Sequence, residues 1–187
     1  MGGDNAPNRQ NEEHTLIAQA QAGSKTAYEQ LVLRYQRLVV SVAYHHGLDL
    51  ATAEDVAQET FIKAWLALAR FKPSGGGLRA WLCRIAINIA TDVHRREQPT
   101  DELTEEISNG ENNPAHQLEA NDQIQIVRRA LAQLPPASRA ALTLREYEGL
   151  SYTEIAEALD IPIGTVMSRL SYARNRLREL LAQENVN

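Results

Sequence analysis

The sequence predicts an all-α protein of two small helical domains joined by an acidic flexible linker. Three observations carry this expectation. Apolar residues recur at spacings of three and four over most of the 187 residues, and neither half shows the alternation of half-buried strands. Glycines and prolines gather at a few places, which leaves long stretches free for helices. Between Glu97 and Asp122 stand eight acidic residues and no Lys or Arg, in a run rich in Asn, Pro, Gly and Thr. Such a composition cannot bury enough apolar surface to order itself, and it reads as a linker over residues 97–120.

Taken in order, residues 1–12 are polar and glycine-containing and read as a disordered N-terminus. A short helix over residues 14–22 closes at Gly23, and Ser24 caps a second helix over residues 25–46. That helix turns Ala27, Leu31, Tyr35, Leu38 and Val42 to one side and ends at Gly47. Thr52 is expected to cap a third helix, with Asp55 near its positive end. Its core face is Val56, Phe61, Ala64, Trp65 and Leu68. Residues 73–77, Pro-Ser-Gly-Gly-Gly, form a flexible loop. A fourth helix over residues 78–95 buries Leu78, Trp81, Leu82, Ile85, Ile89 and Val93. Four amphipathic helices with short connections make one compact domain, residues 13–96.

The second domain, residues 121–187, opens with Ile124, Val127 and Leu131 at helical spacing. Leu134-Pro-Pro136 breaks that helix and starts another, which carries Ala140, Leu142 and Leu144 and ends at Gly149. The clearest element follows over residues 150–178. Ser151 and Glu154 have the spacing of a capping box, and Leu150 and Ile155 occupy the hydrophobic-staple positions around it. The helix ends near Asp160, because Pro162 biases Ile161 away from helical angles and can itself open the next helix. In that next helix Val166, Leu170, Ala173 and Leu177 make one buried stripe. The other faces carry Thr165, Ser168, Arg169, Ser171, Tyr172, Arg174 and Arg176, all hydrogen-bond formers. A capped helix, a tight turn and a polar, basic second helix suit docking in the DNA major groove. A helical hairpin with a merely solvated second helix has the same pattern.

The net charge of −5 hides an asymmetry, since residues 169–178 hold four arginines and no acid. Binding depends on where charges lie, so an acidic whole is compatible with a nucleic-acid partner while arguing against indiscriminate DNA coating. Cys83 is the single cysteine, which leaves no disulfide framework and no zinc site built on cysteine pairs. Its apolar helical setting marks a buried structural thiol. No signal-peptide pattern opens the chain and no run approaches the ~20 apolar residues of a membrane span, so a soluble, intracellular protein is expected.

The first domain narrows the reading. AEDVAQETFIKAW at residues 53–65 resembles the most recognisable segment of the sigma-70 family of bacterial transcription initiation factors. WLCRIAIN at residues 81–88, with Asp92, Arg95 and Arg96, is similar to the promoter-contacting helix that follows. Leu134-Pro, Arg145, GLSYTEIA from Gly149, and Gly164-Thr-Val with Ser168-Arg169-Leu170 match the family's C-terminal region. The resemblance covers roughly residues 14–182 in the right order. Only the sigma2 and sigma4 regions fit the length, without a long acidic N-terminal region or a middle sigma3 domain. That pattern is similar to the extracytoplasmic-function (ECF) class.

The resemblance implies a non-enzymatic promoter-specificity subunit in the bacterial cytoplasm, with no cofactor, no metal and no direct membrane insertion. Asp55, Gln58, Glu59 and Lys63 would dock on the β′ clamp helices of core RNA polymerase, while the C-terminal region would meet the β flap. Alternatively they form a solvated face with an internal Glu59–Lys63 pair. Asn88 would meet the −10 element where a base leaves the stack, and Phe71 would pack against the flipped base. Lys72, Arg79, Arg84, Arg95 and Arg96 would hold phosphates, although Arg84 is equally placed for an internal ion pair. Trp81 belongs to the core stripe. Thr165, Met167, Ser168, Arg169, Ser171, Tyr172, Arg174 and Arg176 would face the −35 element. Many members carry a basic residue where this chain has Met167, and another near Tyr172. Met167 cannot make arginine's bidentate guanine contact, so the −35 preference is not transferable. The family commonly works under anti-sigma factors, and the long linker would permit such control.

Two other readings follow from the residues. An ordinary helix-turn-helix regulator would bind as a dimer without polymerase and leave the first domain without a purpose. A carboxylate–metal helical enzyme would use Glu54, Asp55 and Glu59 with His45 and His46, but the Glu-x-x-His pairs of a di-metal bundle do not recur.

Overall fold

The computed structural model describes residues 6–73, 75–97 and 118–184. Regular structure among the described residues is helical throughout. The helices are α1 (Ala6–Gln21), α2 (Lys25–His45), α3 (Leu50–Ala67), α4 (Gly77–Glu97), α5 (Leu118–Ala132), α6 (Pro136–Glu146), α7 (Tyr152–Leu159) and α8 (Ile163–Glu184), with a 3-10 turn at Leu68–Arg70. The all-α expectation holds. The segment 98–117, most of the expected linker, lies outside the described residues, as do residues 1–5 of the expected disordered N-terminus.

Two local expectations change. Helix α1 begins at Ala6 rather than near residue 14, and Pro7 falls in its first turn, where its missing amide removes no intrahelical bond. The cap of α3 is Asp49, not Thr52: its carboxylate accepts from the Thr52 amide at 3.1 Å and the Thr52 hydroxyl at 2.6 Å. Two acceptor oxygens let Asp49 take both donors, whereas Thr52 spends its hydroxyl as a donor. The other ends follow the sequence. Ser24 caps α2 through the Ala27 amide at 3.2 Å, and Gly23 and Gly149 adopt positive φ.

Helix α2 packs against α1, α3 and α4, and α3 against α4, while α8 gathers α5, α6 and α7. Tyr28 donates to the Phe61 carbonyl at 2.6 Å and its ring tilts against Trp65. The Gln21 amide donates to the Leu68 and Phe71 carbonyls at 3.0 and 2.8 Å, tying α1 to the turn that leads into the glycine loop. One apolar core runs through both groups of helices, from Leu31, Leu78 and Cys83 to Leu144, Leu150 and Ile155. Burial pushes the Cys83 thiol up to about 12, as expected of an inert core cysteine.

The two groups also touch through α4·α7, α2·α6 and α4·α6. Arg128 donates to the Leu48 carbonyl at 2.8 Å with its guanidinium over the Tyr44 ring, and His45 stacks on Tyr147 at 3.8 Å. Arg139 of α6 is 5 % exposed beside Gly47, where an added Cβ would lie 3.0 Å from its Nη1 and 3.2 Å from His94 Nε2. At φ +113° Gly47 is also in a conformation that other residues resist, so this corner needs glycine twice over.

Candidate polymerase and nucleic-acid interfaces

Asp55, Gln58, Glu59 and Lys63 are all exposed on α3. Lys63 and Glu59 pair at 2.7 Å in the i, i+4 order, with both side chains about half exposed. Such a pair contributes only ~0.3–0.5 kcal/mol and yields easily to a partner. Beside this polar face the structure adds a feature that sequence reasoning missed. An open groove of about 970 Å³ runs between α2 and α3, lined by Arg37, Tyr44, Leu50, Glu54, Gln58 and Ile62 among others. Ile62, Leu66 and Leu33 are 62 %, 77 % and 67 % exposed. The signal was present: Ile62 and Leu66 lie four apart and off the Val56–Ala64–Leu68 stripe, so they could not join the core.

The residues expected at the −10 element are not gathered into one open surface. Lys72, Asn88, Arg95 and Arg96 are exposed, and Arg84, Asn88 and Arg95, four and seven residues apart, share a face of α4. Arg95 pairs with Asp92 at 3.0 Å. Phe71 is 8 % exposed and packs on Trp81 with ring centroids 4.7 Å apart. Its expected stacking on a base would require it to leave that packing, because its apolar ring gains more from the core than from water. Trp81 is half-buried against the core, as its place on the stripe implied. Arg79 and Arg84 both reach the C-terminal helices. Arg79 donates to the Glu148 carbonyl, and Arg84 to the Glu157 carbonyl.

In the helix-turn-helix the local reading holds closely. The Ser151 hydroxyl accepts from the Glu154 amide at 3.2 Å, and the Glu154 carboxylate accepts from the Ser151 amide at 2.8 Å. Leu150 and Ile155 are fully buried and each contributes ~1.5–3 kcal/mol by leaving water. Arg145 donates to the Leu150 carbonyl at 2.8 Å and covers the Tyr152 ring, bracing the entry to α7. Asp160 ends α7 at φ 54°, the left-handed conformation a helix C-cap favours.

On α8, Val166, Leu170 and Ala173 are buried and Leu177 half-buried, so the predicted stripe is the packing face. The opposite surface presents Met167 at 55 % and Tyr172 at 51 % exposure beside Ser168 and Ser171. Thr165 and Arg169 are half-buried at its edge, and the Ser168 hydroxyl donates to the Thr165 carbonyl at 3.0 Å. The arginines further on are engaged within the protein. Arg174 grips one Glu146 oxygen through Nε at 3.1 Å and Nη2 at 2.7 Å, which raises its pKa, and Arg176 pairs with Glu179 at 3.1 Å. The exposed reading surface is therefore less basic than the sequence implied.

His45 and His46 serve packing. His46 is fully buried, and burial, with Arg139 and His94 nearby, pushes it down to about 3. No group of three or more His, Cys, Asp or Glu side chains among the described residues is placed to hold a metal ion. No helix among them is long and apolar enough to cross a membrane.

Comparison with known proteins agrees with this layout. Residues 31–100 match sigma-70 region 2 and residues 124–177 match sigma-70 region 4. The RNA polymerase sigma-H factor of Pseudomonas aeruginosa is 36 % identical over 92 % of this chain and 95 % of its own length. The ECF RNA polymerase sigma-E factor of Escherichia coli is 37 % identical over 88 % of this chain and 92 % of its own. Among solved structures, CnrH in complex with the cytosolic domain of CnrY matches with a TM-score of 0.73 at 30 % identity, covering 92 % of this chain and 98 % of that one. The sigma factor RpoE of Bartonella quintana, in complex with the anti-sigma factor NepR, matches with a TM-score of 0.63 at 27 % identity, over 83 % and 96 % of the two chains. With both regions present in order and full-length relatives above 30 % identity, this chain belongs to the sigma-70 family, as an ECF RNA polymerase sigma factor.

Proposed function

We propose that the chain docks on core RNA polymerase through α3, with Asp55, Gln58, Glu59 and Lys63 set against the β′ clamp helices and the neighbouring groove receiving apolar side chains. The observation that carries this is a polar, weakly paired face lying beside exposed Ile62 and Leu66. Charge there would orient the partner while apolar burial would supply affinity. Residues 13–96 form the polymerase- and −10-binding domain, 97–120 the linker and 121–187 the −35-binding domain that also meets the β flap. Asn88 reads the opened −10 strand, with Lys72, Arg79, Arg84, Arg95 and Arg96 on phosphates. Phe71 joins them only after repacking.

At the −35 element Met167, Ser168, Ser171 and Tyr172 face the groove of the duplex, with Thr165 and Arg169 beside them. Arg174 and Arg176 contribute only where DNA displaces Glu146 and Glu179. The protein has no active site of its own, works in the cytoplasm and is held in check by an anti-sigma factor, by analogy with the complex of RpoE and the anti-sigma factor NepR. Run-off transcription with purified core polymerase and a promoter library tests the reading. Initiation from a defined subset of promoters is expected. Folded protein that directs none would sink it, and a stable DNA-bound homodimer without polymerase would favour an ordinary regulator.

A further inference from the structure

The exposed face of α8 is small and neutral in its middle and apolar along its flanks. Ser168 and Ser171 stand at the centre with Gly164, where nothing lies within 4 Å of the position a Cβ would take. Met167 and Tyr172 border them, five residues apart and so about 140° around the helix. Both are about half exposed, and Ile163, one turn before Met167, is exposed too and lengthens that flank. No residue from Ile163 to Ser168 carries a charge. Of the arginines that follow, Arg169 is half-buried at the edge, Arg174 is held by Glu146 and Arg176 by Glu179. The Ser168 hydroxyl spends its proton on the Thr165 carbonyl, which leaves its oxygen to accept.

A major groove about 12 Å wide admits one helix, so the two flanks of a reading face meet opposite walls. Guanine is read there by paired donors of arginine or lysine, which neither flank of this face provides. Thymine instead presents a C5-methyl group, and an apolar side chain gains by covering it. Met167 is unbranched and polarizable and adapts to such a surface, while Tyr172 offers a flat ring. We propose that Met167 and Tyr172 are specificity residues that pack on thymine methyl groups, one on each wall of the groove. The −35 element of this chain is then a thymine-bearing block, read by methyl contact rather than by guanine hydrogen bonds. Ser168 accepts from the amino group of an adenine between the two contacts. The inference rests on the reading of α8 as the −35 helix.

The test uses holoenzyme, core RNA polymerase with the full chain, and duplex fragments randomised across the −35 region. Sequencing of the bound fraction gives the preferred block. Each thymine in it is then replaced by deoxyuridine, which deletes the methyl group and keeps every hydrogen bond, and relative affinity is read by competition. Affinity should fall about three- to five-fold at one thymine on each strand, the value of one buried methyl group. Met167→Ala should erase one of these penalties and Tyr172→Ala the other, while circular dichroism checks that the helices persist. Met167→Arg should turn the recovered block toward guanine at the Met167 contact, by at least about five-fold.

A preferred block that is indifferent to deoxyuridine keeps α8 as the reader and overturns the methyl contact. A penalty that persists in an alanine variant overturns the assignment of that residue. Holoenzyme that recovers no upstream block, yet initiates from a fork already opened at the −10 element, removes the −35 reading itself and the inference with it.

Discussion

His46 shows how one residue can tie stability to pH. It is fully buried, its Nε2 meets the Thr91 hydroxyl at 3.3 Å and its Nδ1 has no hydrogen-bond partner among the described residues. Arg139 and His94 approach it as well, so every neighbouring charge opposes protonation. Burial lowers its pKa from 6.5 to about 3. The folded imidazole therefore stays neutral, and a proton binds only on unfolding. The contribution is present above the unfolded pKa and is lost as pH falls, by about 2 kcal/mol between pH 7 and pH 5. His45 is shifted in the same direction by burial, whereas the lowered Asp49 acts only below the ordinary carboxylate range. Urea denaturation of His46→Gln at the two pH values isolates the effect. The variant should start less stable at pH 7, by about 1–3 kcal/mol, yet lose far less on acidification. An undiminished loss would assign the acid sensitivity elsewhere.

At the scale of elements, α7 is the best specified and the shortest α-helix among the described residues, eight residues closed by a reciprocal cap at one end and Asp160 at the other. Ser151→Ala removes the hydroxyl acceptor and should cost ~1 kcal/mol, read as a lower urea midpoint with unchanged slope. Helix α3 offers a different kind of test, because Ile62 is exposed and its replacement leaves the core alone. Ile62→Glu should leave the melting temperature within a degree or two, since surface changes away from special features stay within about 0.5 kcal/mol. Its affinity for core polymerase should fall at least about tenfold, because an apolar anchor is replaced by a charge that must be desolvated. Unchanged affinity would remove the groove from the polymerase interface.

These two helices also mark how far a sequence can be read. The capping box, the staple, the α8 stripe and the exposed α3 face are local patterns with periods of three and four, and they appear in the structure as expected. The Asp49 cap was missed because Thr52 and Asp49 can each occupy that role, and only the turn after Gly47 decides between them. The groove, the burial of Phe71 and the engagement of Arg79, Arg84 and Arg174 depend on contacts between segments far apart in the chain. No local period encodes those partners.

Over the whole molecule, the continuous core and the polar seam predict coupled unfolding. Ser41 donates to Glu148 at 2.5 Å, Thr143 to the His45 carbonyl at 3.2 Å and Arg128 to the Leu48 carbonyl, while Tyr147 stacks on His45. Both tryptophans, Trp65 and Trp81, lie in the N-terminal helices, so their fluorescence reports that half alone, whereas far-UV circular dichroism reports every helix. If the seam couples the halves, the two signals follow one urea transition, the usual sign of a single cooperative unit. Arg128→Ala with Tyr147→Ala removes a cation over Tyr44, a carbonyl partner and a stacked ring without touching the core of either half. The combined change should cost about 2–3 kcal/mol of coupling. Circular dichroism should then begin to fall at lower urea than tryptophan fluorescence, as the C-terminal helices unfold first from a smaller core. Coincident transitions in the double variant would place the coupling in the apolar core rather than in the polar seam.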